Sequence, residues 1–416
     1  MQWAQTPFAE RAVVMCAGAA ALEQNTEEII EWIVREAGSI RSKAQFEVRA
    51  SIGDCLEGAG LCSQETGLLL PSLTPGRTSI ARRVPVGVVG VIAPWNFPLI
   101  LEMRSVAPAI ALGNAVLLKS DPNTPVSGGV VVARIFERAG LPEGVLSVFC
   151  GGPDAGEALV SDPNAHKISS PARPRSGARS GRRRAATSNG WRWNSAATTR
   201  SSCSTTPIWT RRPRLERGDL FVTRARSAWR RGGTSSTSAS PEQYLEKLAE
   251  LAARLQVGNP YTDPVALGPI INERQAASVQ RIVDATLEAG ARTLSGGRRD
   301  GLFFPATVRG DLTPDMPAWA EEIFGPVAPV MTFATDEEAV ALANATPTWA
   351  SPRRSNRAPL SGPGRWERGC TPEWFTSMIR RSTTSPRHRS RDSARRATGS
   401  HSAARRARRR SPNGSG

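Results

Sequence analysis

Apolar residues near the N-terminus recur at the spacing of an amphipathic helix. Over residues 25–50 the pattern predicts one helix, because a capping residue, Asn25 or Thr26, precedes an apolar stripe. Two glutamates in the first turn favour the same start, since negative charge stabilises a helix N-terminus. The stripe consists of Ile29, Ile30, Ile33 and Val34.

Further along, short apolar runs alternate with helical stretches. VPVGVVGVIAPWNFP, residues 84–98, predicts a buried strand that continues into a loop stiffened by two prolines. EMRSVAPAIALG, residues 102–113, predicts a helix that ends at Gly113. AVLLK and GVLSVFCGG predict strands on either side of NTPVSGGVVVARIFERAG, a helix with Thr124 as cap and Gly140 as stop. This alternation predicts a mostly parallel α/β sheet.

The stretch CGGPDAG joins a predicted strand to a predicted helix, PDAGEALVSD. Such a turn places backbone N–H groups at a helix N-terminus, where phosphate groups bind. The same glycine-rich turn is also compatible with plain chain geometry.

Ordered patterns return between residues 240 and 348. PEQYLEKLAELAARL predicts an amphipathic helix, and DPVALGPIINERQAASVQRIVDATLEAG contains a second long one. FFPATV and PVAPVMTFAT predict strands, with AEEIFGP between them.

The net charge of +17 is concentrated in two segments. Residues 171–236 and 349–416 together contain 33 arginines, no lysine and 5 acidic residues, whereas the remainder has 21 basic and 32 acidic residues. The basic segments also lack apolar periodicity, so we expect them to be disordered. The remainder has the composition of an ordinary acidic globular protein.

Cysteine and histidine usage excludes an obvious metal site. The six cysteines show no metal-ligand spacing and there are only three histidines, so no metal is expected. Neither a signal peptide nor an apolar run of membrane-spanning length is present, which favours a cytoplasmic protein without a membrane partner.

Four motifs, in this order, resemble the NAD(P)-dependent aldehyde dehydrogenases: GVVGVIAPWNFPL, ALGNAVLLK, DPVALGPIIN and EEIFGPV. The N-terminal stretch is most similar to the benzaldehyde dehydrogenase branch. The resemblance covers residues 1–170 and 240–348. It implies a Rossmann-type cofactor domain with a parallel sheet, an α/β catalytic domain, an aldehyde substrate and NAD or NADP as cofactor. It also implies that an intact member of the family can form a homo-oligomer.

The resemblance implies a mechanism and assigns residues to it. A cysteine thiolate attacks the aldehyde, hydride passes to the nicotinamide, and a glutamate-activated water hydrolyses the thioester. By the same resemblance Asn96 stabilises the oxyanion, Lys119 binds the adenosine ribose, and Glu322 with Phe324 binds the nicotinamide ribose. The turn with Gly152 and Gly156 faces the pyrophosphate. Taken singly, Asn96 also fits a turn residue, Lys119 a solvated strand end and Glu322 a helix cap.

The chain departs from the family pattern. Ser120 and Pro122 replace the usual proline and glutamate after the lysine, and much of the usual N-terminal region is missing. Neither the E-L-G-G motif of the base nor the G-Q-x-C motif of the nucleophile occurs. The chain as written is therefore expected to lack the covalent step.

The codons of the arginine-rich segments permit both missing motifs in a shifted reading frame. Trp193-Asn194 is encoded TGG-AAY, which in the shifted frame forces a glutamate and permits L-E-L-G-G. The codons of residues 219–233 permit G-Q-I-C, with the cysteine at the Ser227/Ala228 junction. We infer frame slips near codons 170, 238 and 348.

The sequence therefore predicts four segments. Residues 1–170 form an N-terminally short cofactor-binding domain, and 238–348 form a fragment of the catalytic domain. Residues 171–237 and 349–416 are aberrant arginine-rich segments. The alternative is a basic protein that binds nucleic acid through those segments, but no nucleic-acid-binding fold accompanies them, so no specific nucleic-acid partner is expected.

Overall fold

The computed structural model describes residues 2–170, 190–193, 200–203, 226–230 and 241–333, which fall within one compact unit spanning residues 1–370. The arginine-rich segments are predicted to be disordered. Apart from three short strands, their residues lie outside the described ranges. The proposed domain boundaries stay predictions.

Helices form the N-terminal part of the fold. They are α1 (Gln2–Gln5), α2 (Phe8–Gln24), α3 (Thr26–Ala37) and α4 (Arg41–Cys62). The prediction of a single helix over 25–50 is wrong, because Gly38 adopts a left-handed φ of 60° and ends α3. A side chain at this position would lie 2.8 Å from Pro269 Cγ, so the break is fixed by packing as well as by backbone conformation.

A two-stranded antiparallel hairpin follows, with β1 at Gly67–Leu70 and β2 at Ser79–Arg82. Its apolar side chains are exposed rather than packed on the core: Leu68, Leu69, Leu70, Leu73 and Ile80.

The predicted parallel α/β sheet is confirmed. Its strands are β3 (Val88–Ile92), β4 (Ala115–Ser120), β5 (Leu146–Cys150), β6 (Lys167–Ser170) and β7 (Gly190–Trp193), in the order β5-β4-β3-β6-β7. Every neighbouring pair is parallel. The helices between the strands are α5 (Ile100–Ala111), α6 (Val131–Arg138) and α7 (Pro153–Ser161). Because parallel strands end at the same edge, the loops after β3, β4 and β5 are brought together.

The helix predicted to start at Thr124 begins with one π-helical segment, Val126–Val130, before α6. The Thr124 carbonyl accepts from Gly128 N at 3.1 Å, but its hydroxyl is buried without a partner and does not cap the helix. Glu36 from the end of α3 supplies the cap instead. Its carboxylate accepts from Val126 N at 2.9 Å and from Ser127 N at 2.6 Å.

The second half of the chain forms another sheet, in the order β10-β11-β12-β9-β8. Its strands are β8 (Arg200–Cys203), β9 (Arg226–Arg230), β10 (Arg292–Ser295), β11 (Thr307–Gly310) and β12 (Val327–Phe333). Its helices are α8 (Pro241–Ala253), α9 (Glu273–Glu288) and α10 (Pro317–Ala320). Strand β11 begins later than FFPATV predicts, after Pro305, which has no N–H to donate to a ladder.

Candidate active site

Lys119 lies at the carboxyl edge of the first sheet and is nearly buried, with 5% of its surface exposed. It is therefore not the solvated strand end that its position alone also allowed. Burial lowers the pKa of its ammonium, while the nearby carboxylates of Asp121 and Asp154 oppose that shift. No hydrogen bond or ion pair engages the ammonium within the described part of the chain. The Nζ atom is not among the fully buried polar atoms that lack a partner, so the ammonium reaches the surface at this edge and can contact a ligand.

The glycine-bearing turn after β5 starts helix α7 beside Lys119. Gly152 is the residue before the helix, and a side chain there would approach Asp154 Oδ1 to 2.9 Å. The first N–H groups of a helix have no partner within the helix, so this end can bind an anion. Gly156 lies one turn further, is buried, and has Ile92 Cδ1 of β3 4.0 Å from where a Cβ would stand. A side chain at Gly156 would therefore begin in ordinary van der Waals contact with the sheet.

The loop that carries Asn96 leaves β3 next to Lys119. Ile92 pairs in register with Lys119, and Ala93 N donates to the Lys119 carbonyl at 3.0 Å. Asn96 lies in the turn and is half-buried, and no described residue engages its side chain. Its amide is therefore available to a ligand, as the oxyanion role requires.

An ion pair in helix α4, between Lys43 and Glu47, contacts this loop. Glu47 in α4 is fully buried, and its carboxylate accepts from Lys43 Nζ at 2.6 Å and from Leu99 N at 3.1 Å. The Lys43 ammonium also lies 4.4 Å from the centre of the Phe97 ring. The loop around Asn96 is thereby fixed at both Phe97 and Leu99.

The segment with Glu322 and Phe324 meets the same loop. The rings of Phe324 and Trp95 stand edge to face, with their centres 5.6 Å apart and their planes at 63°. Glu322 is half-buried in the extended segment after α10, so it is not a helix cap. This contact joins two predicted motifs that are more than two hundred residues apart in the chain.

A chain of hydrogen bonds that the sequence did not predict connects the segment after β4 with Phe324. Asn123 donates to Asp121 and accepts from Asn272 Nδ2 at 3.0 Å. Asn272 caps α9 by accepting from Gln275 N at 2.9 Å, and Gln275 Nε2 donates to the Phe324 carbonyl at 3.1 Å. The signal available was Asn272 at the end of DPVALGPIIN, three residues before a glutamine, which is typical of a helix start.

None of the four cysteines whose side chains the structure describes lies in the family's nucleophile motif. Burial raises the pKa of the Cys55 thiol to about 12 and also raises that of Cys62, which keeps both protonated. Cys16 and Cys150 are exposed. The shifted-frame glutamate and cysteine belong to junctions in β7 and β9, and the chain as written has neither residue there.

Within the described ranges, no three acidic, histidine or cysteine side chains are grouped so as to hold a metal ion. None of the helices in those ranges is long and apolar enough to span a membrane.

The family model of the aldehyde dehydrogenase family matches residues 1–188 and 237–349 of the chain. A vanillin dehydrogenase of Amycolatopsis sp. is 43% identical over 353 residues, covering 82% of this chain and 70% of the relative. A benzaldehyde dehydrogenase [NAD(+)] of Pseudomonas putida is 41% identical over 354 residues, with the same coverage of 82% and 70%.

A solved structure shares this fold. The NAD-dependent benzaldehyde dehydrogenase from Corynebacterium glutamicum superposes with a TM-score of 0.75 at 33% identity, covering 83% of this chain and 76% of that one. Family model, relatives and structure agree with the motif resemblance, and the chain belongs to the aldehyde dehydrogenase family.

Proposed function

We propose that this protein is descended from an NAD-dependent dehydrogenase that oxidises aromatic aldehydes to carboxylic acids. We also propose that the chain as written retains the dinucleotide site without the catalytic pair. The observation that carries the proposal is Lys119, a nearly buried lysine whose ammonium forms no hydrogen bond or ion pair with a described residue, at the edge where β3, β4 and β5 end. Dinucleotides bind at this edge in parallel α/β sheets.

The residues around Lys119 fit a dinucleotide. Its ammonium can donate to ribose hydroxyls, and the start of α7 after Gly152 can receive the pyrophosphate. Phe324 contacts Trp95 in the loop after β3, so Glu322 and Phe324 lie near this loop and can bind the nicotinamide ribose. When bound, the nicotinamide supplies a hydride acceptor.

The charges near Lys119 favour NAD over NADP. Asp121 and Asp154 both act on the Lys119 ammonium, and Asp121 Oδ1 is held by Asn123 N at 2.9 Å. Carboxylates at a ribose accept from its 2′-hydroxyl and repel a 2′-phosphate. We therefore propose NAD as the preferred dinucleotide, although Pro122 replaces the family's usual glutamate.

The loop after β3 supports handling of an aldehyde. The Asn96 amide can donate to the oxygen on which negative charge develops during attack. Two aromatic side chains, Trp95 and Phe97, flank it, and both named relatives act on aromatic aldehydes according to their names. In the restored frame, the cysteine of the Ser227/Ala228 junction attacks and the glutamate of the Trp193/Asn194 junction activates water.

Calorimetric titration of the full chain with NAD and with NADP tests the dinucleotide site. We expect saturable NAD binding and NADP binding weaker by about tenfold or more, the factor that corresponds to about 1.4 kcal/mol. Asp121→Asn is expected to lower the ratio of the NADP dissociation constant to the NAD dissociation constant. No heat of NAD binding, or tighter binding of NADP, would refute this part of the proposal.

We further propose a cytoplasmic homo-oligomer in which the hairpin β1–β2 packs on a second copy. The support is the exposed apolar surface of the hairpin, where Leu69 is 75% and Ile80 67% exposed. Leu69→Asp is expected to lower the mass measured by light scattering, whereas the same change at the exposed Val13 should not. Equal masses for all three proteins would exclude this interface.

A further inference from the structure

Arg309, in strand β11, is the largest of the fully buried side chains in the described ranges, with 2% of its surface exposed. Its Nε and Nη1 atoms have no hydrogen-bond partner there. Buried guanidinium donors without acceptors are costly, because burial removes the water that would otherwise accept from them. Arginine does not lose its proton in proteins, so it cannot avoid this cost by becoming neutral. The group is therefore suited to an acceptor from outside the described chain.

The third guanidinium nitrogen, Nη2, differs from the other two. No described residue accepts a hydrogen bond from it, yet it is not among the fully buried atoms that lack a partner. There is thus room beside Nη2 for an atom of solvent or of a ligand. Nη2 shares one edge of the planar guanidinium with Nε and the other with Nη1. An oxyanion at Nη2 can therefore accept two parallel hydrogen bonds from either edge.

A glycine covers the guanidinium at Nη2. The loop 296–299 follows β10 and has the sequence GGRR. A side chain at Gly297 would lie 2.9 Å from Nη2 of Arg309, so its absence leaves the space open. Thr307 Oγ1 accepts from Gly297 N at 2.9 Å, and Gln280 Nε2 donates to the Gly297 carbonyl at 3.0 Å. The loop is therefore held to both β11 and α9 next to the guanidinium.

Two arginines of the loop add charge of different availability. Arg299 is engaged by Glu273, with Nη1–Oε2 at 2.8 Å and Nη2–Oε1 at 2.5 Å. Arg298 directly follows Gly297, is exposed, and has no ion pair within the part of the chain that the structure describes. Arg298 therefore leaves positive charge near the opening at Nη2.

Asp284 in α9 is the carboxylate nearest in effect to Arg309. Burial lowers the pKa of the Arg309 guanidinium, and the charge of Asp284 opposes that shift. The two side chains nevertheless form no ion pair in the described structure, and Asp284 Oδ1 accepts from Gln280 Nε2 at 2.8 Å. Asp284 thus offsets part of the charge without satisfying the guanidinium donors.

We propose that Arg309 and the loop 296–299 form a binding site for a small oxyanion of the phosphate class. The guanidinium supplies two parallel hydrogen bonds through Nη2 and a neighbouring nitrogen, and Arg298 adds electrostatic attraction. The site is built from β10, β11 and α9, none of which carries a residue proposed to bind the dinucleotide. The inference therefore does not depend on the proposed function.

The test measures thermal unfolding of the full chain during titration with sodium phosphate, with the ionic strength held constant by sodium chloride. We expect Tm to rise by about 2–4 °C when phosphate reaches ten times its dissociation constant, because the anion binds the folded chain. No rise above the value in sodium chloride would overturn the proposal.

Arg309→Met removes the guanidinium and keeps an unbranched side chain. Without phosphate its Tm should equal or exceed that of the unchanged chain, since a buried charge without a partner is removed. Phosphate should no longer raise its Tm, whereas Lys119→Met should keep the full response. A lower Tm for Arg309→Met without phosphate would mean that Arg309 already has a stabilising partner. That result, or a phosphate response that survives in Arg309→Met, would overturn the proposal.

Gly297→Ala tests the opening while leaving the guanidinium in place. The matched control is Gly290→Ala, because the two glycines have similar φ values of 105° and 98° and nothing lies within 4 Å of a Cβ at Gly290. Both alanines carry the same backbone strain. We expect only Gly297→Ala to lose the phosphate response. An equal response in both variants would contradict the site.

Asp284→Asn tests the alternative in which Asp284 pairs with Arg309 in solution. The proposal expects the phosphate dissociation constant to fall by about threefold or more, because a nearby negative charge is removed. A dissociation constant that is unchanged or higher in this variant would count against the oxyanion site.

Discussion

The loop that carries Asn96 depends on one buried residue, Glu47. Its carboxylate holds both the Lys43 ammonium and the backbone N–H of Leu99, and it is fully buried. Removing one member of a buried ion pair leaves the other charge without compensation. Glu47 therefore acts as a positioning residue for the loop after β3.

Glu47→Gln is expected to lower the free energy of unfolding by about 3 kcal/mol, because Lys43 keeps its charge in a buried site. The matched control is Glu137→Gln, which removes an ion pair with Arg134 whose side chains are 69% and 65% exposed. That change should cost less than about 1 kcal/mol. Urea unfolding of both variants measures the difference, and equal losses would contradict the role of Glu47.

The lowered pKa of Lys119 leads us to expect that dinucleotide binding depends on pH. Burial lowers the pKa of its ammonium below the ordinary 10.5, so the charge is lost at a lower pH than in an exposed lysine. The NAD dissociation constant should therefore rise as pH increases through the folded-state pKa, below 10.5. The effect of pH on stability has the opposite direction. Because the unfolded chain keeps this proton to a higher pH, the free energy of unfolding should increase with pH between the folded-state and unfolded-state pKa values.

Lys119→Met tests both effects, since methionine has a similar length and no charge. We expect weaker NAD binding with no dependence on alkaline pH, and an unfolding free energy that is equal or higher below the folded-state pKa. Titrations across a pH series and urea unfolding provide the two measurements. An alkaline decline in binding that persists in the variant would assign the dependence to another group.

Among the structural elements, the π-helical segment Val126–Val130 is the most tightly constrained. Glu36 caps it from α3, and Gly128 faces Glu102, a fully buried carboxyl group without a hydrogen-bond partner among the described residues. Burial raises the pKa of Glu102 well above 4.5, and the nearby Glu47 and Asp121 raise it further. Glu102 and Pro98 leave no room for a side chain at Gly128.

Gly128→Ala is expected to destabilise the protein by about 1–3 kcal/mol, because its Cβ would lie 2.9 Å from Glu102 Oε1 and 3.2 Å from the Pro98 carbonyl. Gly53→Ala in helix α4 is the control, since nothing lies within 4 Å of its added Cβ. That change should stabilise α4 by about 0.5–1 kcal/mol. Thermal unfolding that shifts in the same direction for both variants would contradict the packing assigned to Gly128.

Local patterns predicted most of the elements that surround the site. Strands β3, β4 and β5 and helix α7 follow from short apolar runs and a glycine-rich turn, whose causes lie within a few residues. The contacts that join the elements were not predictable, because their partners are far apart. Glu36 meets Val126 across 90 residues, and Asn272 meets Asn123 across 149. The break at Gly38 is different, because the glycine that ends α3 is itself a local signal, which the prediction of one helix passed over.

At the scale of the whole molecule, the chain combines a family fold with segments that do not fit it. The family match leaves out residues 189–236, and this range contains the junction that forces a glutamate and the junction that permits a cysteine in the shifted frame. The residues proposed to bind the cofactor lie on either side of it, in the loops after β3, β4 and β5 and in the segment after α10. The written chain is thus expected to bind NAD without oxidising aldehydes.

The most direct test is aldehyde-dependent reduction of NAD, followed by absorbance of the reduced nicotinamide with benzaldehyde as substrate. Two proteins are compared: the chain as written, and one whose frame is restored by single-nucleotide changes near codons 170, 238 and 348. We expect turnover only in the restored protein, sensitive to thiol alkylation and strongly reduced by Asn96→Ala. Turnover by the written chain that Asn96→Ala abolishes, or a folded restored protein that binds NAD yet oxidises no aldehyde, would contradict the account.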